Sequence, residues 1–342
     1  MMSDKGGLMK QKRILVLGAT GAMGQYLVPL LSRAGYRVDG VSFDVKESSD
    51  PNVRFIRADI KDRAAYRELL ANRYDAIVDF LIYPTADLMY YLPLALDSTE
   101  HYIYLSSYRI YDGKEVPTRE TSPRLIDSAD SVYLRNSDDY SIFKARGENI
   151  LMARPRKNWT AVRPAVTYSL MRYQLVTLEA PDTVGRAFAG KTVVVPEQAR
   201  CRQATMSWAG DVAQMIAKLI FNERAFGEIF TVSTAEHHTW EEIAEYYKEI
   251  CCMKTLWVDK EDYIRILSPD PYVTSARWQL EFDRLFDRVM DNSKILAATG
   301  MTQSDLMPLY DGLKHEIARC PRDVKWRVNT GMDEYLCREG IN

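Results

Sequence analysis

The chain has 342 residues, of which 46% are hydrophobic and 27% charged, with a formal net charge of −2. Such a chain can bury a sizeable core in one or two domains, which excludes a disordered or fibrous protein. The near-neutral balance, without a basic block, leaves no electrostatic footprint for nucleic acid or for an anionic membrane.

The first dozen residues, with Lys5, Lys10 and Lys12, lack the apolar centre of a signal peptide. No apolar run approaches the roughly 20 residues that span a bilayer. Five scattered cysteines, with Cys251 and Cys252 adjacent, fit no common zinc spacing and read as reduced thiols. The expectation is a cytoplasmic protein without a metal site.

The first element is the stretch on which the rest depends. Ile14, Leu15, Val16 and Leu17 form a continuous apolar run, as in a strand covered on both faces. Gly18, Gly21 and Gly24 follow at a spacing of three, and Gln25 to Arg33 has helical apolar spacing. Strand, glycine turn and helix N-terminus together make a pyrophosphate site, because backbone N–H groups face the anion and no side chain blocks its approach. A plain glycine-rich turn reads the same in isolation; the βαβ pattern that follows separates the two.

Val38 to Phe43 reads as the second strand. It is followed by Asp44, 20 positions after Gly24, where a carboxylate accepts hydrogen bonds from the adenosine ribose and repels a 2′-phosphate, favouring NAD over NADP. Val53 to Ala58 is a third strand, with Asp59 and Ile60 placed to flank an adenine ring. A helix over 62–72, a strand from Asp75 to Ile82, a helix over 85–97 containing Pro93, and a strand from Tyr102 to Ser106 continue the alternation. That alternation predicts a doubly wound parallel sheet.

Asp112 to Asp138 is polar and irregular and reads as a lid or substrate-facing loop. Then come a helix from Asp138 to Ala153, a strand from Trp159 to Pro164 and a short strand from Thr192 to Val195. Ala209 to Asn222 reads as a helix and Ile229 to Ser233 as a strand. Thr239 and Glu242 form a capping box. Leu256 to Val258 is a strand, and a helix is expected around Ser304 to Arg319.

Two features carry chemistry. Tyr140 and Lys144 are four residues apart on a helix and share one face. A phenol is a poor base at neutral pH, and a neighbouring ammonium lowers its pKa. Ser106 and Ser107 end the fifth strand, at the edge of an open sheet where ligands bind.

With these residues the chain resembles the extended short-chain dehydrogenase/reductase family, and within it the NAD-dependent epimerase/dehydratase branch that acts on nucleotide sugars. The resemblance runs from about Arg13 to Leu313. It rests on Gly18-Ala19-Thr20-Gly21-Ala22-Met23-Gly24, on Ser106-Ser107 ahead of Tyr111, and on Tyr140-x-x-x-Lys144. Val162-Arg163-Pro164, Trp208-Ala209-Gly210-Asp211-Val212-Ala213 and Gly227 to Ser233 complete it.

The resemblance implies a Rossmann-type α/β fold with a smaller C-terminal substrate domain. Residues 1–170, rejoined by 205–244, would form the NAD-binding domain, and residues 171–204 with 245–342 the substrate-binding domain. By the same resemblance Tyr140 is the general base and acid, with Ser107 as its hydroxyl partner. Lys144 lowers the phenol pKa and holds the nicotinamide ribose. Gly18, Thr20, Gly21, Ala22, Met23, Gly24, Asp44, Asp59 and Ile60 hold the rest of NAD. Ser107, Tyr108, Tyr140 and Arg202 face the substrate. A homodimer through the helices near 86–98 and 138–153 is also implied.

The implied reaction is epimerisation of a nucleotide sugar by transient oxidation of a hydroxyl. Dehydratases of this branch carry Asp-Glu after the active-site Ser/Thr; here Tyr108 and Arg109 follow Ser107, which disfavours dehydration. The alternatives are a reductase or dehydrogenase of a sugar or other carbonyl compound, and a non-catalytic nucleotide- or RNA-binding protein. Three departures are visible. No Asn follows the Arg163-Pro164 pair. Arg200 and Arg202 are the only arginines offered for a diphosphate. The fourth strand ends in the bulky Phe80-Leu81-Ile82-Tyr83.

Overall fold

A computed structural model gives the fold and describes residues 11–270 and 273–341; Lys5 and Lys10, part of the signal-peptide reading, lie outside the described residues. The elements in chain order begin with β1 (Arg13–Leu17), α1 (Gly24–Arg33), β2 (Arg37–Ser42), β3 (Val53–Arg57), α2 (Arg63–Ala71), β4 (Tyr74–Asp79), α3 (Thr85–Ser98) and β5 (Thr99–Leu105). Short helices α4 (Leu125–Ser128) and α5 (Val132–Asn136) precede α6 (Tyr140–Ala153), β6 (Trp159–Pro164) and β7 (Val166–Tyr168). Next come α7 (Val184–Phe188), β8 (Thr192–Pro196), β9 (Gln203–Ala204), β10 (Met206–Trp208), α8 (Ala209–Leu219), β11 (Glu228–Val232), β12 (His238–Thr239), α9 (Trp240–Cys251) and β13 (Lys254–Val258). The chain ends with α10 (Lys260–Leu267), α11 (Ser275–Gln279), one π-helical turn (Leu280–Arg284), α12 (Ser293–Thr299), α13 (Leu309–Ala318) and α14 (Thr330–Arg338).

Seven strands form one parallel sheet in the order β11-β6-β5-β4-β1-β2-β3. The chain leaves β1 in one direction and returns to β4 on its other side. The strand order therefore reverses between them, and that reversal opens a crevice at the strands' carboxyl ends. The apolar run of β1 follows from its place at the sheet centre. Ile14 and Val16 pack with α1 and α8 on one face, and Leu15 and Leu17 pack with α2 and α3 on the other.

A second core gathers β7, β8, β10, α9, α10, α13 and α14, with β8 and β13 paired in parallel. The division of packing crosses the expected boundaries. Val166, Tyr168, Met206, Trp240 and Ile243, expected with the large domain, belong to this second core. Ile295, Met301 and Leu306 pack instead with the large sheet. Helices α10, α12 and α14 have no counterpart in the sequence reading, because each is short or buries too thin a stripe: α14 buries only Met332 and Leu336.

The fourth strand stops three residues earlier than its apolar run suggests. The Asp79 carboxylate accepts the Leu81 N–H and the Tyr83 hydroxyl, both at 2.9 Å, and turns the chain there. Helix α3 continues through Pro93 to Ser98. Helix α13 starts at Leu309, after Pro308, later than expected. The loop over 112–138 holds α4 and α5. No helix among the described residues is long and apolar enough to cross a membrane.

One buried ion pair joins β5, β6 and α6. Arg163 donates from Nε and Nη2 to the two oxygens of Glu148, both at 2.8 Å, and neither side chain reaches solvent. Ser106 donates to the same carboxylate at 2.5 Å, and Arg163 also donates to the Tyr111 hydroxyl at 2.8 Å. Removing one member strands a buried charge. Glu148→Ala is therefore expected to cost about 3–5 kcal/mol, seen as a lower urea midpoint with an unchanged slope. A midpoint equal to that of the unaltered protein would mean the pair carries no such weight.

Candidate active site

The glycine turn is tight because backbone packs on backbone. Gly18 takes a φ of +79°, which favours glycine, and the Gly18 and Ala19 N–H groups both donate to the Val41 carbonyl at 2.9 and 3.0 Å. A Cβ at Gly24 would lie 2.4 Å from the Gly18 oxygen and 2.6 Å from the Ala19 oxygen. The first turn of α1 therefore sits directly against the end of β1.

A cavity of about 400 Å³ opens on one side of this turn, lined by Thr20, Asp44, Asp59 and Ile60 among others. Thr20 donates to the Asp44 carboxylate at 2.5 Å, fixing that group at the cavity edge. A second cavity, of about 360 Å³, lies on the other side and is lined by Ala22, Met23, Gly24, Ser107, Tyr108, Arg109 and Tyr140. Both share Gly18, Gly21, Phe80 and Ile82, so they are two ends of one crevice. The bulky Phe80 and Ile82, a departure in sequence, form its waist.

Tyr140 opens α6. Asp139 caps the helix by accepting the Ser141 N–H at 2.9 Å, which sets Tyr140 at the cavity wall with Lys144 one turn behind. Lys144 is buried and donates to the Leu105 carbonyl at 2.6 Å and the Leu81 carbonyl at 3.2 Å. Burial pushes its pKa down to about 8, against the opposing pull of Asp79 and Glu148. Burial likewise raises the Tyr140 phenol, and Arg109, followed by a hydrogen bond with Ser107, pulls it back down. Sequence reasoning gave the lowering charge to Lys144. In the structure Arg109 is the nearer cation, 5.1 Å from the Tyr140 ring centre against 5.7 Å for Lys144.

The end of the crevice beside Tyr140 contains a cluster that the sequence did not reveal. Asp283, on the π-helical turn, is buried among Arg284, Arg288 at 3.1 Å and Arg109 at 3.4 Å. The Tyr108 hydroxyl donates to it at 3.1 Å. Arg284 and Arg172 line the cavity beside Arg109. No local motif marks Asp283 or Arg284; only the fold brings them to Tyr108. Arg202, expected at the substrate, is elsewhere. Strand β9 pairs with β12 and turns this segment outward, so Arg202 is half exposed and pairs with Asp287 at 3.4 Å. Arg200 pairs with Glu241 at 2.5 Å, also outside the crevice.

A glycine turn at the switch point of a parallel sheet, with Ser107 and Tyr140 at the crevice wall and Lys144 buried behind them, defines a dinucleotide-binding α/β fold of the short-chain dehydrogenase/reductase type. The profile of the NAD dependent epimerase/dehydratase family matches residues 14–232, and the chain belongs to that family.

Among curated proteins it is similar to the chloroplast stem-loop binding protein of 41 kDa b from Arabidopsis thaliana. The two are 24% identical over 250 residues, which cover 69% of this chain and 62% of the plant protein. The chain thus spans less than two thirds of that relative. Among solved structures it is similar to the epimerase Mth375 of Methanothermobacter thermautotrophicus, with a TM-score of 0.69 and 14% identity over 97% of this chain and 95% of the other. The UDP-glucuronic acid 4-epimerase of Bacillus cereus, solved with UDP-glucuronic acid and NAD, gives a TM-score of 0.66 and 13% identity over 90% and 98%. At these identities the solved structures establish the fold.

The cradle fits a dinucleotide: a Cβ at Gly24 would collide with backbone, and backbone is costly to move. Gly24→Ala is expected to weaken NAD binding by about tenfold or more, a loss of at least about 1.4 kcal/mol, measured by calorimetric titration. Unchanged affinity in a folded variant would remove the pyrophosphate from this turn.

Proposed function

We propose that the protein is an NAD-dependent epimerase of a nucleotide sugar. The observation that carries this reading is that Ser107 and Tyr140 line one end of a crevice, with Lys144 buried one turn behind Tyr140, while Asp44, Asp59 and Ile60 line the other end. Gly18, Gly21 and Gly24 would hold the pyrophosphate, Asp44 the adenosine ribose, and Lys144 the nicotinamide ribose. When bound, NAD supplies the acceptor and later the donor of a hydride. The residues of the chain handle the proton. Tyr140, as phenolate, takes it from the reacting hydroxyl and later returns it. Ser107 hydrogen-bonds the same oxygen and the phenol. Arg109 and Lys144 favour the phenolate by charge.

A ketone held in the crevice can be reduced from either face, which makes epimerase the first reading and a reductase or dehydrogenase the runner-up. The position after Ser107 holds Tyr108 rather than an acid, which supports neither elimination nor dehydration. The plant relative's name favours a second kind of reading, binding of a nucleic-acid stem-loop. Against it stands a crevice in which every expected proton-handling group is present. Helices α3 and α6 lie side by side and expose Met89 and Met152, the face that the implied homodimer would cover.

Turnover of UDP- and dTDP-linked hexoses, followed by nicotinamide absorbance and product chromatography, tests this reading. Tyr140→Phe is expected to cut kcat by about 10²- to 10⁴-fold while NAD still binds. The rate should fall above about pH 8, where Lys144 loses its charge. Equal rates for Tyr140→Phe and the unaltered protein would end the proposal.

A further inference from the structure

Resting on the epimerase reading, we infer that the sugar carries a carboxylate next to the reacting carbon, and that Arg109 is the residue that selects it. Arg109 follows Ser107 by two positions and lines the crevice. Its side chain is only 14% exposed, and its guanidinium lies 5.1 Å from the centre of the Tyr140 ring. A group bound there sits within a bond or two of the hydroxyl that Tyr140 deprotonates.

The hydrogen bonding of Arg109 is incomplete. Its Nε–H is buried without a hydrogen-bond partner. The Asp283 oxygen at 3.4 Å is close enough to feel the charge but accepts no hydrogen bond from it. The Asp139 oxygen at 3.8 Å already accepts from the Ser141 N–H and hydroxyl. Nε is closed off from the crevice, but Nη1 and Nη2 make no hydrogen bond among the described residues and are the donors a ligand can meet, which recovers the cost of leaving a charged donor unpaired.

The surrounding charges leave Arg109 in excess. Asp283 is taken up by Arg284 and Arg288, and Glu179 by Arg172 and Gln174. Four guanidiniums thus stand against three carboxylates around this end of the crevice, and Arg109, which makes no side-chain hydrogen bond among the described residues, stands over Tyr140. A planar fork beside the reacting centre suits a carboxylate in two-point contact. The diphosphate of a nucleotide sugar is a second source of negative charge, and a neutral hexose carrying that same diphosphate separates the two.

The experiment compares UDP-glucuronate with UDP-glucose on the NAD-loaded protein, by calorimetric binding and by turnover. UDP-glucuronate is expected to be preferred by about tenfold or more, the worth of a charge-assisted contact, mainly through KM. Arg109→Gln should abolish the preference and Arg109→Lys should restore part of it. Equal use of the two, a preference for UDP-glucose, or binding of neither by NAD-loaded protein overturns the inference while leaving the epimerase reading standing. Failure to load NAD at all overturns that underlying reading instead. Should Arg109→Gln not fold, the comparison on the unaltered protein decides alone.

Discussion

Glu148 and Arg163 meet where water does not reach, and three side chains of the proposed catalytic set hang on that meeting. Glu148 belongs to α6, the helix that presents Tyr140 and Lys144. Arg163 ends β6, and Ser106, which also binds Glu148, is the neighbour of Ser107. The pair fixes how far α6 stands from the ends of two strands. A buried ion pair is weak evidence for stability, since desolvation offsets much of its attraction. Its value here is geometric: helix and strands can approach in only one register that leaves neither charge alone. Lys144 draws on the same arrangement, because its burial disfavours its charge and Asp79 and Glu148 restore part of it.

Much of the large domain is legible in the sequence because parallel strands at a sheet centre must be apolar on both faces, and the helices between them must be apolar on one. Strand β6 falls on the residues its pattern gives, and Thr239 and Glu242 cap α9 as a box. The glycine spacing holds because backbone contacts at Gly24 leave no room for a side chain. What the sequence hides is long-range. Tyr108 and Asp283 bond across 175 positions, and nothing near Asp283 announces a site. Arg202 looks like a phosphate ligand in a linear reading, yet its strand pairing carries it to the surface. The end of β4 is misread for a subtler reason: the residues past Asp79 are apolar because they line the crevice, not because they continue the strand.

Family membership and substrate choice rest on different residues. The family match spans residues 14–232, which hold the sheet, the glycine turn and the Ser107, Tyr140 and Lys144 side chains. The residues that distinguish this crevice are Tyr108, Arg109, Arg172 and Arg284, all facing the side away from the glycine turn's adenosine end. Arg109 and Arg284 pack around the buried Asp283, and Arg172 pairs with Glu179, so this end of the crevice carries more positive charge than the chain's net charge suggests. Fold sets where chemistry occurs, and in the proposed reading these few side chains set what it acts on.

The account stands most directly on the crevice being a nicotinamide dinucleotide site. Denaturing the purified protein and assaying the released small molecules by absorbance and mass would decide it. Near one NAD(H) per chain is the predicted result, since an epimerase regenerates its cofactor in each turnover and has no need to release it. A chain that releases none, and that binds neither NAD nor NADP when titrated, would contradict the account.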